Sequence, residues 1–142
     1  MTTHGKEPGR FSGYASVFNR IDAHNDVIKP GAFLHSIKRR RIALLWQHSV
    51  NEPIGKILKS EEDNFGLLVV AKLNLALRRA REIYSLILDG SINSLSIGYR
   101  VIQVEGNSTS SIRVISKIDL WEVSLVTFPA NNLAKISEVK LL

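Results

Sequence analysis

The sequence predicts an α+β domain built on an antiparallel sheet or barrel, and three observations lead there. Short apolar runs separated by turn signals occupy most of the chain; residues 76–89 alone change to helical period; and strand-like runs then resume as far as residue 128. Strands, one long helix and more strands is the order of an α+β architecture.

Each element follows from local chemistry. The opening MTTHGKEPGR is polar and lacks the apolar segment of a secretory leader, so residues 1–12 are expected to be flexible. "GYASVFN" and "DVIKPGAF" bracket a turn over 20–25. "GAFLHSIKRRR" reads as a short helix: Phe33, Leu34 and Ile37 are apolar, and Lys38, Arg39, Arg40 and Arg41 follow at the end where cations favour the negative pole of the dipole. "IALLWQH", "PIGKILKS" and "FGLLVVAKLNL" come next as strand candidates. In "LALRRAREIYSLILDG", Leu77, Ala80, Tyr84 and Leu88 fall at three- and four-residue steps, flanked by Ile83 and Ile87. Arg78, Arg79, Arg81 and Glu82 cover the opposite face, and Gly90 supplies the stop. "SINSLSIGYRVIQV", a polar turn at "EGNSTSS" and "IRVISKIDLWEVSLVTF" complete the pattern, which Pro129 ends.

At 142 residues the chain is the size of one domain spanning 1–142, with no repeat and no dividing linker. Its apolar and charged fractions, 44% and 23%, are those of an ordinary globular protein. No apolar run approaches the roughly 20 residues that span a bilayer. Without cysteine there is no disulfide framework, thiolate nucleophile or cysteine-ligated zinc, and a cytoplasmic location fits. The net charge of +6 is local: residues 1–41 hold eight Lys/Arg against three Asp/Glu, a net +5. The helix-end reading accounts for half of those cations; a docking patch for an acidic partner or nucleic acid is the other reading. Nucleic acid is an unlikely partner, because the 7% aromatic content reads as core rather than as a base-stacking surface.

Three polar residues stand where strand alternation makes them conspicuous. In "NSLSIGYRV", Leu95, Ile97, Tyr99 and Val101 share one face, which leaves Ser94, Ser96, Gly98 and Arg100 on the other. In "DLWEVSLVTF", Glu122 projects opposite Trp121, Val123 and Leu125, beside Leu120, Ser124 and Val126, and a carboxylate so placed needs a partner. His48 ends the run "LLWQH". Hydroxyl, imidazole and carboxylate are a nucleophile, the base that removes its proton and the acid that orients the base. Folding alone can unite residues so far apart, and "SLSIG" lacks the first glycine of a nucleophile elbow. "DAHND" places Asp22, His24 and Asp26 in alternation, where turn chemistry explains the aspartates more simply than a metal.

"GYASVFNRIDAHNDVIKPGAF", "LLWQHSVNEPIGKI", "LSIGYRV" and "LWEVSLVTFPANNLAKI", in that order, resemble the prohead proteases of HK97-type tailed bacteriophages and gene transfer agents. The resemblance runs from about Gly13 to Ile136. It implies a fold similar to herpesvirus assemblin, a mostly antiparallel β-barrel with surrounding helices, and a serine endopeptidase of capsid maturation. His48 then acts as base from a barrel strand, Ser96 as nucleophile and Glu122 as the acidic member. Asp119 is the fallback acid and Ser94 the competing serine. Arg100, expected on the strand face of Ser96, is a candidate oxyanion or substrate-binding group. No cofactor or metal is implied. The implied partners are the major capsid protein with its scaffolding segment, the protease itself through autoprocessing, and a second copy in a homodimer through the helix at 76–89. The implied location is the host or bacterial cytoplasm, inside the procapsid. The rival reading is a non-catalytic capsid-assembly or scaffold-binding module of the same fold.

Overall fold

In the computed structural model, residues 7–106 and 111–139 are described, with only the backbone described for 138 and 139. The elements in chain order are β1 (Arg10–Val17), β2 (Asp26–Ile28), α1 (Leu34–Arg39), β3 (Ala43–Trp46), β4 (Ser49–Glu62), β5 (Gly66–Leu73), α2 (Arg78–Leu88), β6 (Ser94–Glu105), β7 (Arg113–Val126) and β8 (Ile136–Val139). Ordered strand thus begins at Arg10, inside the stretch expected to be flexible. Part of the expected polar turn at 105–111 lies outside the described residues.

The strands form one sheet in the order β2-β7-β3-β4-β5-β1-β8, with β6 pairing the other edge of β7. β5 shows why these residues make strands: Leu67, Val69, Ala71 and Leu73 are buried, while the intervening side chains pack less completely. The sheet is mixed, which corrects the antiparallel expectation for its centre. β1–β5, β1–β8, β3–β4, β4–β5 and β6–β7 are antiparallel, whereas β7 takes β2 and β3 as parallel partners. It curls until its ends approach: Leu95 N–H donates to the Ala134 carbonyl (2.8 Å) and Ile136 N–H to the Asn93 carbonyl (2.9 Å), next to β8. The result is a half-barrel flanked, among the described residues, by two helices rather than a closed barrel ringed by them.

β7 is the organising strand, because one of its edges is covered piecewise by residues 26–46. β2 pairs with its first residues and β3 with Glu122 to Leu125. Between them Ile118 N–H donates to the Ala32 carbonyl (3.1 Å). There Ser36 of α1, 1% exposed, replaces a strand: its hydroxyl donates to the Ile118 carbonyl (2.8 Å) and accepts from the Leu120 N–H (2.8 Å). Ser36→Ala would leave two buried backbone groups without that partner and is expected to cost about 1–3 kcal/mol, read as a lower urea midpoint at unchanged slope.

α2 confirms a helix but not the expected stripe. Ala80, Ile83 and Ile87 are the buried residues, whereas Leu77 and Leu88 are 41% and 47% exposed. The contact line follows the flanking isoleucines, since the helix lies against β4 and β5 on that side. Among the described residues, no helix is long and apolar enough to cross a membrane.

Candidate active site

His48 does not lie on a strand. Trp46 pairs with Ser49, so Gln47 and His48 are the two-residue loop of the β3–β4 hairpin. Both have positive φ, +53° and +60°, as the central residues of a type I′ turn must. That conformation favours Asn and Gly, and for other residues costs about 1–2 kcal/mol each. The tight turn holds the imidazole at the end of a rigid hairpin, a firmer mount than an open loop and a more exposed one than a strand.

β7 supplies what the imidazole meets. His48 Nδ1 lies 2.5 Å from Glu122 Oε2, and the Ser124 hydroxyl donates to the other carboxylate oxygen, Oε1, at 2.7 Å. The same hydroxyl accepts the His48 backbone N–H at 3.0 Å, so Ser124 ties His48 and Glu122 together. With Nδ1 engaged by the carboxylate, Nε2 is the nitrogen free to take a proton. The hydrogen bond to Glu122 raises the His48 pKa above that of an ordinary imidazole; partial burial opposes the rise and the carboxylate charge reinforces it.

The register with β6 explains how a carboxylate fits there. Gly98 lies opposite Glu122 and Ser96 opposite Ser124. A Cβ on residue 98 would stand 2.3 Å from Glu122 Oε2 and 2.9 Å from its Cγ and Cδ. The space left by Gly98 therefore belongs to Glu122 rather than to Ser96.

Ser96 and His48 line one cleft of about 640 Å³, shared with β1, the 20–28 segment and residues 128–131. The Ser96 hydroxyl makes no hydrogen bond among the described residues. Opposite it, Asp26, 3% exposed, accepts Arg113 Nε and Nη2 at 2.8 and 2.9 Å and the Tyr99 hydroxyl at 3.1 Å. Burial works against the Asp26 charge, but the Arg113 bonds prevail and hold its carboxyl below the usual range. Burial and the charge of Asp26 push the Tyr99 phenol far up, so it stays protonated as a donor. Asp22 Oδ1 accepts the backbone N–H groups of His24 (2.8 Å) and Asp26 (3.0 Å), the turn chemistry expected of "DAHND".

Of the residues singled out by sequence, the fold brings together His48, Glu122 and Ser96 and leaves three others elsewhere. Asp119 is bound by Arg40 Nη2 (3.2 Å) and Trp121 Nε1 (2.9 Å). Ser94 donates to Asn93 Oδ1 (2.9 Å). Arg100 lies in a separate cleft beside Asp119. Arg100 keeps the strand face of Ser96, since β6 runs unbroken from Ser96↔Ser124 through Gly98↔Glu122 to Arg100↔Asp119, but it stands further along the strand, beside Asp119 and outside the cleft that holds Ser96. Sequence reasoning missed Ser124, although its place two residues from Glu122 on the same face was a signal. It also missed the Asp26–Arg113–Tyr99 cluster, which only the fold assembles.

Comparison with known proteins supplies the context. A family profile described as "Caudovirus prohead serine protease" matches residues 1–141. The chain is 35% identical to the prohead protease of Enterobacteria phage HK97 over 99% of its own length and 64% of that protein. It is 30% identical to the prohead protease of Escherichia phage T5, over 89% of itself and 63% of that relative. The chain thus spans somewhat less than two thirds of these relatives. Its fold is similar to that of KSHV protease, solved with a hexapeptide phosphonate inhibitor: TM-score 0.61 at 12% identity, covering 89% of this chain and 63% of the other.

Proposed function

Because the chain belongs to the caudovirus prohead serine protease family, we propose that it is a serine endopeptidase of capsid maturation using Ser96, His48 and Glu122. Its substrates in this reading are the scaffolding portion of the major capsid protein and its own chain, cut inside the procapsid. One observation carries the assignment: His48, held by Glu122, lines the same cleft as Ser96, whose hydroxyl makes no hydrogen bond among the described residues.

In the mechanism, Ser96 Oγ attacks the scissile carbonyl as His48 Nε2 takes its proton, and the carbonyl π pair moves onto oxygen. Glu122 holds the imidazole by Nδ1 and stabilises the cation that forms. Collapse of the tetrahedral species breaks the C–N bond, and Nε2 returns the proton to the departing amine. Water then repeats the sequence to release Ser96 from the acyl group. Ser124 positions both partners and touches no reacting atom. Homodimerisation belongs to the same reading, with the exposed Leu77 and Leu88 of α2 as the apolar area a second copy would cover.

The test is co-expression with its own major capsid protein, following the capsid subunit by intact mass. The wild type is expected to remove a segment, and His48→Ala to leave the subunit full length. Assembled shells whose subunits stay whole with the wild type would turn the reading to a capsid-assembly module.

The pH dependence has a fixed sign. His48 must be neutral to act, and its pKa is raised, so kcat/KM should climb with pH through an inflection above the ordinary imidazole value of about 6.5. Folding linkage runs the other way: the His48–Glu122 contribution to stability is complete below the unfolded pKa and is lost as pH rises through the folded one. A kcat/KM inflection at or below that of a free imidazole would contradict the pairing.

A further inference from the structure

A strained turn persists only where its surroundings over-determine it, and at Gln47–His48 they do. The Gln47 N–H donates to the Leu125 carbonyl at 2.9 Å. Its side-chain amide is used twice on one residue: Nε2 donates to Thr127 Oγ1 at 2.8 Å, and Oε1 accepts the Thr127 backbone N–H at 3.2 Å. Gln47 lies 80 residues from Thr127 in sequence, so the pair fastens the hairpin tip to the end of β7 where no strand pairing reaches. Gln is not a residue that a type I′ turn selects for its own sake. Its value here lies in the length of its amide, which Asn, better suited to the backbone, would lack.

We infer that Gln47 is a positioning residue for His48: its carboxamide, locked onto Thr127, fixes the turn that sets the imidazole against Glu122. The inference rests on the proposed role of His48 for its effect on rate, but the positioning itself is independent of catalysis. Both partners are exposed at the surface, so the clamp adds little to folding stability and its loss is separable from unfolding. The same clamp joins the base to residues 128–131, which form the cleft rim and include Phe128, 88% exposed.

The experiment follows the His48 imidazole by NMR titration in the full chain, together with kcat, KM and thermal midpoint, for the wild type and three variants. Gln47→Asn keeps a residue that suits the turn but shortens the amide. Thr127→Val removes the acceptor hydroxyl, and Thr127→Ser restores it. Gln47→Asn and Thr127→Val are expected to bring the His48 titration down toward the ordinary value of about 6.5 and to lower kcat about 10- to 100-fold with KM little changed. Thr127→Ser should behave as wild type. The charged groups sharing the cleft, Arg20, Asp22, His24, Asp26 and Arg113, are unaltered in all three, so a shift reports the Glu122 contact. If Gln47→Asn and Thr127→Val both titrate and turn over as wild type, the positioning role is overturned. A titration that moves in a protein whose Ser96→Ala form still cleaves would keep the positioning role and sink the proposed mechanism.

Discussion

Ser96→Ala is expected to lower capsid-subunit cleavage by at least about 10³-fold while leaving the thermal midpoint nearly unchanged. The size follows from the proposed mechanism: without the Ser96 hydroxyl the acyl intermediate cannot form at that residue, and the binding surface that remains provides only residual acceleration. The small stability effect follows from the site. The Ser96 hydroxyl has no hydrogen bond among the described residues, so its removal strands no partner. Ser124→Ala should reverse the balance. Its hydroxyl is wholly buried and serves both Glu122 and the His48 N–H, so stability should fall along with rate. Single-turnover cleavage beside calorimetric melting separates the two. If Ser96→Ala retained near-normal cleavage and Ser124→Ala lost it without loss of stability, the nucleophile would have been misassigned.

Gly98→Ala, a single methyl group, is expected to lower kcat/KM by about 10²- to 10⁴-fold, an effect of the order seen when the acidic member of a triad is disabled. The new Cβ would fall 2.3 Å from Glu122 Oε2, so the carboxylate must leave its place between His48 and Ser124. A displaced, buried carboxylate also lacks its hydrogen bonds, which adds about 1–3 kcal/mol of destabilisation. Shortening the acid should relieve the clash: Gly98→Ala with Glu122→Asp is expected to melt higher than Gly98→Ala alone and to recover part of the rate. A fully active Gly98→Ala enzyme would show that Glu122 has no fixed place in the reaction.

How far the site was legible depended on which interactions alternation can report. Glu122 and Ser96 were visible because a polar side chain on a strand among apolar neighbours is conspicuous, and Gly98 because it left space. What the space was for required the pairing register, since Glu122 stands directly across from Gly98 on the neighbouring strand. His48 was visible as a residue type, but its setting was not, because "WQHS" carries none of the Asn or Gly that announces a type I′ turn. Alternation put Arg100 on the strand face of Ser96, and the register keeps it there; that Arg100 lies beside Asp119, outside the cleft of Ser96, depends on what stands across from it, which the β6 pattern alone does not report. The helix at 78–88 was found by its period, yet its inner face turned toward Ile83 and Ile87, because neighbouring strands decide which of two adjacent apolar lines is covered. The parallel pairings of β7 were hidden for a related reason: they join segments far apart in sequence, and local pattern carries no direction.

That arrangement of β7 also sets a timetable. Its residues are made after the two helices and every strand except β8 among the described residues, yet β2 takes its strand pairing from it, β3 one of its two edges, and His48 its Glu122, 74 positions later. Contacts of such long range form late and slowly compared with helices and hairpins. While the polypeptide is still emerging from the ribosome, the β3–β4 hairpin can close with its histidine, but without β7 the imidazole has no carboxylate beside it. In the proposed mechanism, the pairing that makes His48 a base therefore forms only once the chain has been made as far as Glu122, most of the way through the domain.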